Sequence, residues 1–263
     1  MPAGPVARIL ATLGFLFLVL PLAIVIPVSF SQSALLQFPP RGVSLRWYRV
    51  LFDDPQWMAA FRNSLSIGLM VAFVSVVLAT MAALALSRRP VPGAAALRAL
   101  LLAPLVVPVV ISAVALFYLF SLLGLTGTTP ALVIAHTVLT FPYCIIVVGA
   151  ALERLDPRQE QAAMSLGAGP LRCFLHVTLP TIRPAVLAAW IFAFLISFDE
   201  VVVSMFLASP ATETLPVKMW QGIRFDLDPT IAAVSTLLVL FSGLLVMAGD
   251  LLRRRVAGGR RAP

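Results

Sequence analysis

Charge is scarce in this chain of 263 residues: 11% are Asp, Glu, Lys or Arg, against 60% hydrophobic. So little polar surface cannot coat a soluble globule, and with a mean hydropathy of +1.01 the chain reads as a polytopic membrane protein. Cysteine is nearly absent. Cys144 falls in an apolar run and Cys173 in a polar loop, which argues against both a structural disulfide and a metal site. His136 and His176 stand equally isolated, so packing or hydrogen-bonded roles are expected of them, not ligation. No glycine-rich phosphate loop ending in Gly-Lys-Ser/Thr is present, so the chain is not expected to hydrolyse nucleotide by itself. Neither HExxH nor GxSxG occurs, and no cysteine has a histidine partner at the membrane surface. An enzyme buried in the bilayer is therefore unsupported, and no cofactor is expected. Nor does the net charge of +8 point to nucleic acid. The basic residues form short clusters at the ends of apolar runs, which is how such residues orient membrane proteins.

What is present is a series of apolar runs long enough to span a bilayer, at about 9–31, 63–86, 97–123, 131–152, 185–208 and 230–252. The first is too long for a signal-peptide core and is read as a retained helix. Pro104 and Pro108 in the third run and Pro142 in the fourth are expected to bend or interrupt their helices, which is tolerated inside a bundle. With the amino terminus in the cytoplasm, thirteen basic residues fall inside and six fall outside: Arg41, Arg46, Arg49, Arg62, Lys218 and Arg224. The bias puts both termini and the polar loop at 153–184 on the cytoplasmic side.

That loop is the longest polar interruption in the chain. Pro157 can open a helix because its missing N–H is harmless in the first turn, and good helix formers follow to Leu166 before Gly167 ends it. A second short amphipathic piece at 171–177 places Leu171, Phe174 and Leu175 on one side, ahead of Leu179 and Pro180. The expected result is a helix, a glycine turn and a helix projecting from the bilayer. Glu160, Gln161, Ala162 and Ala163, with Gly167 and then the distant pair Leu179 and Pro180, resemble the EAA loop of permease subunits in ABC importers. The family's usual glutamate is Gln161 here, with Glu160 beside it, and its usual isoleucine is Val177. The resemblance implies that these residues form a coupling surface seated in a groove of an ATPase, small alanines allowing close approach and glycine permitting the turn.

Elsewhere, residues 197–204, reading Ser-Phe-Asp-Glu-Val-Val-Val-Ser, together with 214–218 and 228–233, resemble the second permease of spermidine/putrescine-type importers. The resemblance implies an all-α fold of the MetI-like type with six spans, and residues 1–263 as a single permease domain. It also implies a non-catalytic translocation subunit in a bacterial inner membrane. The partners it implies are a second permease (a paralogue), a cytoplasmic ABC ATPase dimer and a periplasmic solute-binding protein. Polyamine is the leading solute. Asp199 and Glu200 lie deep in the fifth run, where a carboxylate costs about 2.5 to 3.5 kcal/mol and is expected to face protein or water. Helical steps of three and four put Ser197, Glu200 and Ser204 on one face, which makes Glu200 the better pathway candidate and leaves Asp199 to bond a neighbouring helix. An alternative reading makes the same two carboxylates proton or cation sites of an ion-coupled carrier or channel. The outer segment at 45–65 is expected to form one or two short helices along the membrane surface, anchored by Trp47, Tyr48 and Trp57.

Overall fold

The structure is a computed structural model that describes residues 5–88, 92–226 and 228–258; Arg89, Arg260 and Arg261, which contribute to the charge bias, lie outside them. All regular structure among the described residues is helical. Among the described residues five helices are long and apolar enough to cross a membrane, or six if one pair bent at a short break counts as a single span. The elements are α1 (Pro5–Ser29), α2 (Arg46–Asp53), α3 (Pro55–Arg88), α4 (Ala94–Leu102), α5 (Val109–Leu122) and α6 (Thr129–Glu153). They continue with α7 (Pro157–Ser165), α8 (Pro170–Cys173), α9 (Leu179–Phe198), α10 (Val202–Leu207), α11 (Leu215–Gln221) and α12 (Thr230–Gly258).

The bent pair is α4 with α5, which meet at 100°. Pro104 sits in a 3-10 turn at Ala103–Leu105 and Pro108 caps α5. Each proline lacks the N–H that would continue the helical ladder, and Pro108 itself leaves the helical region at ψ 132°, so the break falls where the sequence puts the prolines. Pro142 behaves differently: α6 runs helical through it from Thr129 to Glu153. Thr128 starts that helix by accepting from the Ala131 N–H, a cap worth about 1 kcal/mol.

Two compact units emerge, residues 1–59 with 218–243, and residues 60–217 with 244–263. In the first, the aromatic segment forms one short helix, α2, and then runs into the start of α3. Trp47 and Trp57 are buried against the protein. Tyr48 bonds Ser29 through the two hydroxyls at 2.8 Å and packs on Phe30 with ring centroids 5.2 Å apart. A strongly amphipathic helix with Trp47 and Leu51 on one side buries that side, and the chain itself offers the apolar partner.

In the second unit the core forms where α3, α5, α6 and α10 meet, through Ile67, Val71, Phe120, Leu132, Val203 and Leu207. Alanines Ala113, Ala131 and Ala135 in the same cluster let the backbones approach, the usual device where helices pack in lipid. α6 also packs along α9, whose Trp190, Phe194 and Phe198 stack successively. Gly68 permits the approach of α3 to Phe194, since a Cβ there would lie 3.0 Å from that ring.

Candidate functional site

The polar loop folds as a capped helix. Asp156 accepts the Arg158 N–H at 2.9 Å, Pro157 takes the first position and Glu160 lies in the first turn. At the other end the Ala168 N–H reaches the Ala163 carbonyl at 3.1 Å and the Gly167 N–H reaches that of Met164 at 3.0 Å. This is a Schellman closure, and it requires the left-handed backbone that Gly167 adopts at φ +86°. The helix 157–165 and its glycine stop thus form as the sequence predicts. The second piece does not. α8 passes through a π-helical segment, Phe174–Thr178, directly into α9, so residues 170–198 form one continuous helical run. Leu179 and Pro180 begin α9 in place of a break, with the π-helical turn lying directly before them.

The outward surface of the loop carries several bare apolar side chains among its polar ones. Leu166 is 90% and Leu171 70% exposed, with Met164 and Leu175 also exposed beside Gln161 and Ala162. Ala163 is half-buried. Glu160 turns the other way. Its carboxylate meets Arg88 at the end of α3, with Nε 2.8 Å from Oε2 and Nη2 donating to Oε1 at 3.1 Å. Thr178 donates to the same Oε1 at 2.6 Å. Sequence reasoning missed both partners: Arg88 counts there only toward the charge bias, and Thr178 is 18 residues away from Glu160.

The second candidate region is also rearranged. α9 ends at Phe198, and residues 199–201 interrupt the fifth crossing before α10. The continuous helix expected at 185–208 is therefore broken, although no proline or glycine lies there. The Val203 N–H, which in an unbroken helix would bond the Asp199 carbonyl, donates instead to Glu200 Oε1 at 2.9 Å. Glu200 is thus a half-buried cap for α10, while Asp199 is the exposed carboxylate of the pair.

Ser197 and Ser204 still share a side, but His136 occupies it. Its Nδ1 lies 2.9 Å from Ser197 Oγ and its Nε2 lies 3.1 Å from Ser204 Oγ, with the imidazole 1% exposed. One serine must donate and the other accept, since an imidazole with one N–H offers one of each. The histidine has the hydrogen-bonded role expected of it, yet it is far from isolated. Below it, Thr140 donates to the His136 carbonyl at 2.9 Å, and its hydroxyl lies 2.6 Å from that of Ser75 on α3. A polar ladder therefore joins α3, α6, α9 and α10 through the middle of the unit. Among the described residues no group of His, Cys, Asp and Glu could hold a metal ion.

Residues 75–261 match the profile of the family described as binding-protein-dependent transport system inner membrane component. Over 249 residues the chain is 34% identical to the putrescine transport system permease protein PotI of Escherichia coli strain K12, covering 92% of this chain and 88% of that one. It is 29% identical over 240 residues to the spermidine/putrescine transport system permease protein PotC of the same strain, covering 91% and 90%. In fold it resembles a chain of a bacterial ABC transporter involved in the import of the acidic polysaccharide alginate. That match has a TM-score of 0.75 at 17% identity and covers 95% of this chain and 94% of the other.

Proposed function

This chain belongs to the family of binding-protein-dependent transport system inner membrane components, and from that premise we propose that it moves a polyamine through an ATP-driven importer. It is a multi-pass permease subunit of the inner membrane, and the alternative of an ion-coupled carrier falls away with the family assignment. The observation that carries the solute is the 34% identity to a putrescine permease over nearly the whole of both chains. The partners follow from the same reading: a paralogous second permease, a cytoplasmic ATPase dimer and a periplasmic solute-binding protein.

In this reading both termini and residues 153–184 face the cytoplasm. α7 then presents Gln161, Ala162, Met164 and Leu166 to the ATPase, and Ala163 and Gly167 shape that face. An apolar surface standing outside the membrane-spanning segments is costly to leave in water, which favours a protein partner over it. Leu179 and Pro180 set where the loop re-enters a spanning helix. Asp199, the exposed carboxylate beside the break in the fifth crossing, takes over the pathway role that helical spacing gave to Glu200. Its charge suits transient contact with an ammonium group. Ser197 and Ser204 act through His136 to hold the break in shape.

The test is uptake of labelled putrescine by proteoliposomes holding this chain with its companion permease and ATPase, supplied with the loaded binding protein. ATP-dependent accumulation that unlabelled spermidine competes away is the expected result. Absence of putrescine uptake from a complex whose ATPase responds to a different loaded binding protein would refute the polyamine assignment.

A further inference from the structure

We propose that Arg88, Glu160 and Thr178 form a latch that carries movement of the α7 face into α3, which makes Arg88 a positioning residue for ATP-driven transport. The proposal rests on the reading that α7 docks on the ATPase. It begins from one carboxylate with three elements on it. Glu160 on α7 holds the guanidinium of Arg88, the last residue of α3, through both of its oxygens. It also receives the hydroxyl of Thr178, the last residue of the π-helical segment that leads into α9. The sulfhydryl of Cys173 lies 3.8 Å from the Glu160 backbone carbonyl and adds a contact on the same side.

Ion pairs on open surfaces contribute little, because water screens them and long side chains must be ordered. This one is sheltered: the side chains of Arg88 and Glu160 are 26% and 13% exposed, and Thr178 is buried. The guanidinium reaches both carboxylate oxygens, Nη2 through a hydrogen bond and Nε through a close ionic contact, and Thr178 holds the same carboxylate from a third element, so displacement of α7 pulls on α3. The Glu160 carboxylate is consumed by these bonds, which leaves the neighbouring Gln161 free on the outer face.

The far end of α3 explains what such a pull would reach. Asn63 donates to the carbonyls of Ala211 and Glu213 at 3.1 and 2.9 Å, and Ser64 accepts the Leu215 N–H at 2.8 Å. Between Asn63 and Arg88 the helix is unbroken, a rod of roughly 38 Å at the standard rise per residue. Bonded to α7 at one end and to residues 211–215 at the other, α3 connects two polar segments on opposite ends of its span. Rigid elements with fixed contacts at both ends are what carry coupling between distant sites.

The experiment compares R88Q, E160Q and the double variant in the assembled transporter, measuring ATPase retention on purification and solute imported per ATP hydrolysed. The expected result is retention of the ATPase with import per ATP falling about tenfold in each single variant, within the range typical of coupling between sites. The double variant should be no worse than either alone, since both substitutions break the same latch. R88K should recover only part of the ratio, because an ammonium lacks the planar fork that reaches both oxygens of Glu160. Wild-type import per ATP, additive losses, or loss of the ATPase from the complex would each overturn the latch. A163W separates this from the docking reading: if that variant keeps its ATPase, docking through α7 is wrong whatever R88Q does.

Discussion

Replacing Gly167 tests the docking face through its backbone alone. At φ +86° an L-residue is strained, and nothing lies within 4 Å of the position a Cβ would take. Steric clash therefore contributes nothing, and the cost is conformational: about 1–2 kcal/mol for a left-handed backbone in an ordinary residue. That corresponds to about 5–30-fold in the fraction of molecules holding the Schellman closure, at about 1.4 kcal/mol for each factor of ten. Asparagine tolerates this region better than alanine, and a β-branched residue tolerates it worst. The expected order of ATPase affinity is thus wild type, then Gly167→Asn, Gly167→Ala and Gly167→Val. All three variants should insert and assemble with the second permease as wild type does, because the substituted side chain meets no neighbour. The assay is titration of the membrane-embedded permease pair with purified ATPase, alongside stimulated ATP hydrolysis. Equal affinity for the wild-type and valine forms, or an asparagine form as weak as the valine form, would refute the argument.

Three further outcomes follow from the structure. His136→Leu strands the hydroxyls of Ser197 and Ser204 at about 1–3 kcal/mol for each buried group left unpaired. The thermal midpoint in detergent should fall, and Ser197→Ala with Ser204→Ala on that background should recover most of the loss; no recovery would mean that the imidazole acts through its volume alone. Asp199→Asn should slow putrescine uptake while leaving assembly intact, whereas Glu200→Gln weakens a helix cap, worth about 0.5–2 kcal/mol by analogy with other caps, and should lower stability more than uptake. The reverse pattern would return the pathway role to Glu200. A cysteine introduced at Ala168 should resist an impermeant thiol reagent applied to intact cells and react once the inner face is opened; labelling from outside would invert the topology.

Wherever residue type and backbone are locally coupled, the sequence was a reliable guide to the fold. Proline lacks an N–H whatever surrounds it, so the bend at Pro104 and Pro108 was legible, as was the start of α7 at Pro157. Glycine is the residue that tolerates positive φ, and Gly167 ends α7 as expected. Pro142 shows the limit of such reasoning. Neighbouring helices can re-satisfy a freed carbonyl, and α6 continues through it. Trp47 and Trp57 show another limit, since their apolar surface can be covered by lipid or by protein, and only the tertiary fold chooses.

The candidate sites were legible as residue types and obscure as contacts. His136 lies 61 residues from Ser197 and 68 from Ser204, and no local pattern announces a bond across such a gap. The one available signal is that the two serines sit seven apart, two helical turns, in a membrane-spanning run whose other polar residues are Asp199 and Glu200, which calls for some polar partner opposite both. The break at residues 199–201 left no signal of the usual kind, because it is made by a side chain and not by proline or glycine. Once Glu200 takes the Val203 N–H, the helical ladder loses a bond and the two carboxylates part company. Periodicity had assigned Glu200 to the open face on the assumption that the helix continued. With the helix interrupted, the carboxylate committed to backbone is the one least free to meet a cation, and under the proposed function the exposed Asp199 takes that role. The His136 bonds fit the same proposal: Ser197 and Ser204 flank the break on both sides, so one imidazole bridges the two helices between which Asp199 lies.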